Sequence, residues 1–340
     1  MRTLLLIILL AMQPVTGIQA DAVNLYQGEA VVENKDAGER RRALPSALAN
    51  VLRKYSGLRS FEEYPQVEPA LGIASSIVVS FHYRSAGIVL ADGTEAEELR
   101  LVANFSGPEV DKLATNLQLP LWQPLRDPID VWVVVDNGVD RRIMPVEFDY
   151  AWNVMGDAAA SRGLPVEWPT ADEEGMYLVD AQVLWGGYTE DLGIVPGRGV
   201  MIMAARREGL EWSVRSNLAY RGQNWTWRSQ NIDLQAALVE STHQAADQVA
   251  MASTIAASDL GAWLHEITVS GMKNADEYIR CLDYLQKLSV VSQVSVVSAK
   301  PGNVSFRIEL NALPQYFEDA VLGGQFLELA QDRGSYVLVQ

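Results

Sequence analysis

Apolar and polar residues alternate along this chain in blocks that read as short strands and amphipathic helices. Residues 23–32 read as a strand, and a polar break follows at 34–38. Leu44, Ala47, Leu48, Val51, Leu52 and Tyr55 then fall at helical spacing, with Gly57 placed to end the helix. Pro45 conflicts with a helix running through Arg40, Arg41 and Arg42, so the helix is expected to start near Leu44 or to kink there. Strands at 76–83 and 98–105, a helix opened by Pro108 and a buried strand at 129–135 complete a split βαβ layer.

A second unit begins at that last strand. Phe148, Ala151, Trp152, Met155, Ala158 and Ala159 share one helical face, which stops at Gly163 before Pro165. Strands are predicted at 176–185, 199–206, 211–220 and 224–228, then a helix from Asp233, a good N-cap, to about residue 252. Strands in succession between helices imply an antiparallel sheet rather than a doubly wound parallel one. Residues 258–261 read as a linker. Beyond them come a strand at 267–272, a capping box at 274–277 and a helix carrying Ile279, Leu282 and Leu285. Strands at 291–299 and 304–310 flank a turn at Lys300-Pro301-Gly302-Asn303, and a helix at 314–322 leads to a final strand.

The pattern therefore predicts an α+β chain of tandem small α/β modules with mostly antiparallel sheets. The N-terminal module takes residues 21–126 and the middle one 127–257. Residues 265–340 form a ferredoxin-like βαββαβ module. Residues 1–20 stand apart. Arg2, an apolar run from Leu4 to Met12, and Pro14 and Gly17 before small residues are the parts of a cleavable signal peptide. Cleavage is expected after Ala20 or Ala22. The run is too short to span a membrane, and no second long apolar run follows.

Composition narrows the setting. The chain carries 27 Lys and Arg against 43 Asp and Glu, a formal charge of −16, and losing Arg2 with the leader makes it more acidic. Such a surface repels phosphate backbones, which sets nucleic acid aside as a partner. The single cysteine, Cys281, excludes an internal disulfide and lies far from the cleavage region, which argues against a lipid-anchored N-terminus. Its place on an amphipathic helix predicts a buried, inert thiol.

Several stretches together carry a resemblance. They are Arg42-Ala43-Leu44 through Ser56-Gly57, Leu119-Pro120-Leu121-Trp122, Ser161-Arg162-Gly163-Leu164-Pro165, Val179 through Leu184-Trp185, and Trp212 through Trp225-Thr226-Trp227. On these the chain resembles the exported bacterial family known as domain of unknown function 2066, over the mature length. That resemblance implies a location, the periplasm of a Gram-negative cell, and no activity.

The search for chemistry returns negatives. His82, His243 and His265 are isolated, and no pair stands at zinc-ligand spacing. There is no G-x-S-x-G nucleophile turn. Residues 193–199 lack the lysine and hydroxyl of a phosphate loop, and residues 136–140 read as a turn rather than a calcium loop. Carboxylates at Glu62-Glu63, Glu95 with Glu97-Glu98, and Asp172-Glu173-Glu174 are expected to be solvated loop charges. The sequence thus assigns no catalytic residue, no metal ligand and no cofactor.

Nine tryptophans are the least ordinary feature. Trp225 and Trp227 sit two apart on one strand face, and Trp185-Gly186-Gly187-Tyr188 is expected to close a neighbouring strand. Two readings stand. Trp185, Tyr188, Trp225 and Trp227 pack as core, or they form a platform for a sugar ring or a peptide anchor. The expected function is a non-catalytic periplasmic binding or adaptor protein with an envelope protein or a glycan as partner. The alternatives are a glycan- or peptidoglycan-acting hydrolase and a glycan-binding module.

Overall fold

The computed structural model describes residues 23–89, 95–144, 149–169, 177, 179–192, 197–323, 326–330, 332 and 334–339. The expected signal peptide lies outside the described residues. The fold is α+β, with several mostly antiparallel sheets, and its hydrophobic side chains gather in separate clusters around three of them.

The first cluster lies in the unit built from β1 (Gln27–Val31), α1 (Ala37–Ser56), α2 (Val67–Ala70), α3 (Ala74–Ile77), β2 (Val78–Val89), β3 (Glu95–Phe105) and α4 (Gly107–Asn116). Its antiparallel sheet has the order β1-β3-β2. The six apolar positions read from the sequence are all buried on α1. Gly57 ends the helix at φ 71°, its N–H donating to the Arg53 carbonyl. The helix starts at Ala37, before the expected point, and Pro45 sits inside it. The carbonyl that Pro45 leaves without a donor belongs to Arg41, which is exposed, so solvent satisfies it. Strand β1 packs so tightly on this helix that a Cβ on Gly28 would stand 2.0 Å from the Ala47 carbonyl oxygen.

After β4 (Leu121–Trp122), the middle unit holds β5 (Ile129–Asp136), β6 (Arg141–Ile143), α5 (Asp149–Arg162), β7 (Val166–Glu167), α6 (Ala181–Gly186), β8 (Gly199–Glu208), β9 (Glu211–Tyr220), β10 (Gln223–Asn231) and α7 (Leu234–Ser253). The sheet order is β10-β9-β8-β5-β6, with β7 also on β5. Strand β5 runs parallel to β8 and β7; the other pairings are antiparallel. Its side chains alternate as a strand buried on both faces requires. Val131, Val133 and Val135 meet α5 and α7, while Val134 meets α6 on the other face.

The strand expected at 176–185 is not formed: Ala181–Gly186 is a helix. Asp180 caps it by accepting from the Gln182 N–H, and Gly187 ends it at φ 79°. A short apolar run is ambiguous between strand and helix, and here the capping residues decide.

Strand β11 (Thr254–Ile255) pairs with β4, so the chain entering the middle unit and the chain leaving it form one small ribbon. The expected linker at 258–261 is a helical turn at Ala257–Asp259 leading directly into β12 (Leu260–Met272). Helix α8 (Ala275–Lys287), β13 (Val291–Lys300), β14 (Gly302–Ala312) and α9 (Pro314–Gly323) follow in the expected ferredoxin-like order. The end differs by one strand. Strand β15 (Leu327–Leu329) takes the sheet edge and turns back into β16 (Ser335–Leu338), which pairs parallel to β12. The order is β13-β14-β12-β16-β15. Asn274 accepts from the Glu277 N–H while the Glu277 carboxylate accepts from the Lys273 N–H, a box at the start of α8.

Two buried arginines are among the side chains that bind the first unit to the middle one. Arg126 is 1% exposed. It donates to the carbonyls of Gln123 at 2.8 Å, Lys54 at 2.7 Å and Trp122 at 3.0 Å, and to that of Gly163. Its guanidinium lies 3.7 Å from the centre of the Trp122 ring. Arg162, 2% exposed, donates to the Gly57 carbonyl at 2.8 Å and to Asp247 at 2.6 Å. Helices leave their last carbonyls without intrahelical partners. The C-terminal ends of α1 and α5 converge here, and the two guanidiniums satisfy both. Burial lowers the Arg126 pKa to about 9.

Candidate functional site

Strands β5 and β8 are parallel neighbours, and their carboxyl ends open onto a cleft of about 470 Å³. Helices α5 and α6, which precede and follow β7 on the path from β5 to β8, lie on opposite faces of the sheet. Strand β5 leaves this end through the turn to β6 and β8 through the turn to β9, and the β5–β6 turn walls the cleft.

The register builds the cleft. Asp136, the last residue of β5, lies opposite Arg206 on β8 and opposite Arg141 on β6. Its carboxylate is buried and accepts from Arg141 Nε at 3.0 Å, from Arg206 Nη2 at 2.8 Å and from the Gly138 N–H at 2.9 Å. These donors, Arg206 foremost, hold the Asp136 carboxyl well below the usual carboxylate range. Arg141 also donates to Gln182 on α6 at 3.1 Å. Both guanidiniums lie on the Trp185 ring, Arg141 at 4.6 Å and Arg206 at 5.1 Å from its centre. Arg207 and Asp140 complete the polar lining.

The four aromatics named from the sequence are divided between the two faces of the sheet. Trp225 pairs with Leu218 and Trp227 with Ser216, so both share the face packed on α7 and are partly buried against that core. Trp185 belongs to α6 and packs on the opposite face with Val134 and Ile202. Tyr188 is 59% exposed and lies over Gly186, where an added Cβ would meet its ring at 2.7 Å. A single four-ring platform is therefore not assembled. The expectation placed Trp185 on a strand, and its position changes faces because the segment is a helix.

Residues 136–140 are the turn joining β5 to β6 and line the cleft, held by Asn137 accepting from the N–H groups of Val139 and Asp140. Other expected features fall outside the cleft. Glu62 and Glu63 are exposed on the first unit, while Glu97 and Glu98 lie on β3 rather than in a loop. The run Asp172-Glu173-Glu174 and residues 193–196 lie outside the described residues. His82 is exposed on β2, His265 meets the Phe317 ring edge-on, and burial lowers the pKa of His243 on α7. Among the described residues no three of His, Cys, Asp and Glu come together. Cys281 is buried on α8, and burial pushes its thiol up to about 12. Among the described residues, no helix is long and apolar enough to cross a membrane.

Comparison with known proteins adds little beyond the first unit. A family model described as a domain of unknown function (DUF8605) matches residues 20–123. This corrects the family expected from the sequence: the uncharacterised domain that matches is not domain of unknown function 2066. No curated protein matches the chain. Among solved structures, the chain is similar to a ribosomal subunit interface protein from Coxiella burnetii, at 10% identity and a TM-score of 0.20. That match covers 37% of this chain and 96% of the other. It is also similar to an uncharacterized protein at 11% identity and a TM-score of 0.15, covering 38% and 92%. At those scores neither bears on fold or function.

Proposed function

We propose that the chain is a non-catalytic binding or adaptor protein of the cell envelope, exported to the periplasm and engaging its partner through the cleft of the middle unit. The observation that carries this reading is the clamp on Trp185. Two guanidiniums are fixed on one indole ring and on one buried carboxylate, at the mouth of an open cleft. Side chains ordered before the partner arrives lose little entropy on binding, which is the mark of a recognition surface. The leader-like residues 1–20 support the compartment.

A photo-reactive residue in place of Val139, an exposed residue of the cleft lining, tests the reading in living cells. The expected result is a discrete adduct with one envelope component, absent when the same residue replaces Ile279, which is exposed on the C-terminal unit. No adduct, or the same adducts from both positions, would count against it.

The exposed ring of Tyr188 favours the glycan-binding alternative as a second reading. Peptidoglycan fragments would then quench tryptophan fluorescence in the native chain and not in Trp185→Ala. A hydrolase needs, in addition, two carboxylates held at about 5–9 Å across a bond. Glu62-Glu63 lie in a turn of the first unit and Glu97-Glu98 on β3, in a different sheet from Trp225 and Trp227.

A further inference from the structure

We propose that the cleft at the ends of β5 and β8 is an oxyanion site, taking a carboxylate or phosphate group carried by a small organic molecule. The inference rests on reading the cleft as a binding surface and adds the chemistry of what it binds.

Charge is the first support. Three arginines, Arg141, Arg206 and Arg207, line the cleft against two acids, Asp136 and Asp140. In a chain of formal charge −16 a local excess of positive charge runs against the background. The buried carboxylate does not repel an incoming anion, because its oxygens are turned onto Arg141, Arg206 and the Gly138 N–H.

Unused donors are the second support. Arg206 spends Nε and Nη2 on Asp136, and Arg141 spends Nε on Asp136 and Nη1 on Gln182. Among the described residues, Arg206 Nη1, Arg141 Nη2 and the whole Arg207 head have no acceptor. A guanidinium presents planar forks that match the oxygen spacing of carboxylate and phosphate. Asp136 and Trp185 hold two of these forks in place, so the remaining N–H groups are aimed without further ordering. A cavity of about 470 Å³ is of the size that holds small organic ligands.

The site is walled on one side by the β5–β6 turn, through Gly138, Val139 and Asp140. It shares no residue with the buried arginines that join the two units.

Isothermal titration calorimetry of the full mature chain, with inorganic phosphate and citrate as parallel probes at low ionic strength, tests the proposal. At least one probe should bind saturably, and its affinity should fall as sodium chloride is raised. Arg207→Gln should weaken binding at least tenfold. Arg206→Lys, which keeps the charge and loses the fork, should weaken it severalfold, with circular dichroism unchanged in both. Phosphate binding alone marks a phosphate ester as the natural ligand; citrate binding alone marks a carboxylate. If neither probe binds, or if Arg207→Gln binds as tightly as the native chain, the proposal is overturned. The adduct from position 139 separates this from the broader reading. An adduct without anion binding leaves the binding protein standing, and anion binding without an adduct removes the envelope role alone.

Discussion

Two of the arginine clusters in this chain differ in how far the guanidiniums are buried. At the seam between the first and middle units, Arg126 and Arg162 are buried and donate to helix-end carbonyls, to Asp247 and to the ribbon at Trp122. At the cleft, Arg141 and Arg206 are about a third to a half exposed and keep N–H groups facing the opening. The seam guanidiniums are enclosed at 1–2% exposure, out of reach of a ligand, although Arg162 Nε has no partner. An exposed donor held in place by a neighbour remains free to recognise something else. Burial, not residue type, separates the mortar from the binding surface.

The seam should give way first. Arg126→Ala leaves the carbonyls of Lys54, Trp122 and Gly163 without their donor and opens a cavity beside Trp122. A loss on the order of 3–5 kcal/mol in urea unfolding is expected. A loss below about 1 kcal/mol would mean that the two units do not depend on it. Gly28→Val tests the packing of the same unit away from the seam. The added Cβ meets the Ala47 carbonyl at 2.0 Å, so β1 must shift off α1. The expected cost is about 2–3 kcal/mol, read as a lower midpoint with an unchanged slope.

A smaller effect should appear with acid. Arg59, on the loop after α1, pairs with Glu240 on α7, and this hydrogen bond lowers the Glu240 pKa from 4.5 to about 2. A folded-state pKa below the unfolded one means stability that is present above about pH 4.5 and lost as pH falls toward 2. The pair is partly exposed, so solvent screening holds its worth to about 1 kcal/mol or less. Thermal melts of Glu240→Gln should therefore lie below the native chain at pH 7 and converge with it below pH 3. A constant offset across that range would assign the difference to packing instead. The smallest effect on stability, within about 0.5 kcal/mol, is expected from Arg207→Gln.

The same contrast explains what was legible in the sequence. Elements that rest on local signals were read closely: β9 spans the residues expected, Asp233 caps α7, and Asn274 and Glu277 open α8. The stripe on α1 was read from spacing alone, although Pro45 hid where the helix begins. Trp225 and Trp227 share a face, as period two requires. The cleft was not legible, because Asp136 meets Arg206 only through a parallel register 70 residues apart in sequence. Adjacent arginines at Arg141-Arg142 and Arg206-Arg207, the second pair closing an apolar run in an acidic chain, were the available signal. The helix at Ala181–Gly186 was missed because its apolar residues fit both periods, and with it the face on which Trp185 lies. Strand β15 was missed for lack of length, since three residues carry no periodicity.

The contrast between seam and cleft is tested most directly by measuring urea stability and phosphate or citrate affinity on the same preparations of the native chain and Arg207→Gln. The account predicts an unchanged unfolding midpoint and an affinity at least tenfold weaker. A lowered midpoint with unchanged affinity would contradict it, because Arg207 would then belong to the structure and not to the binding surface.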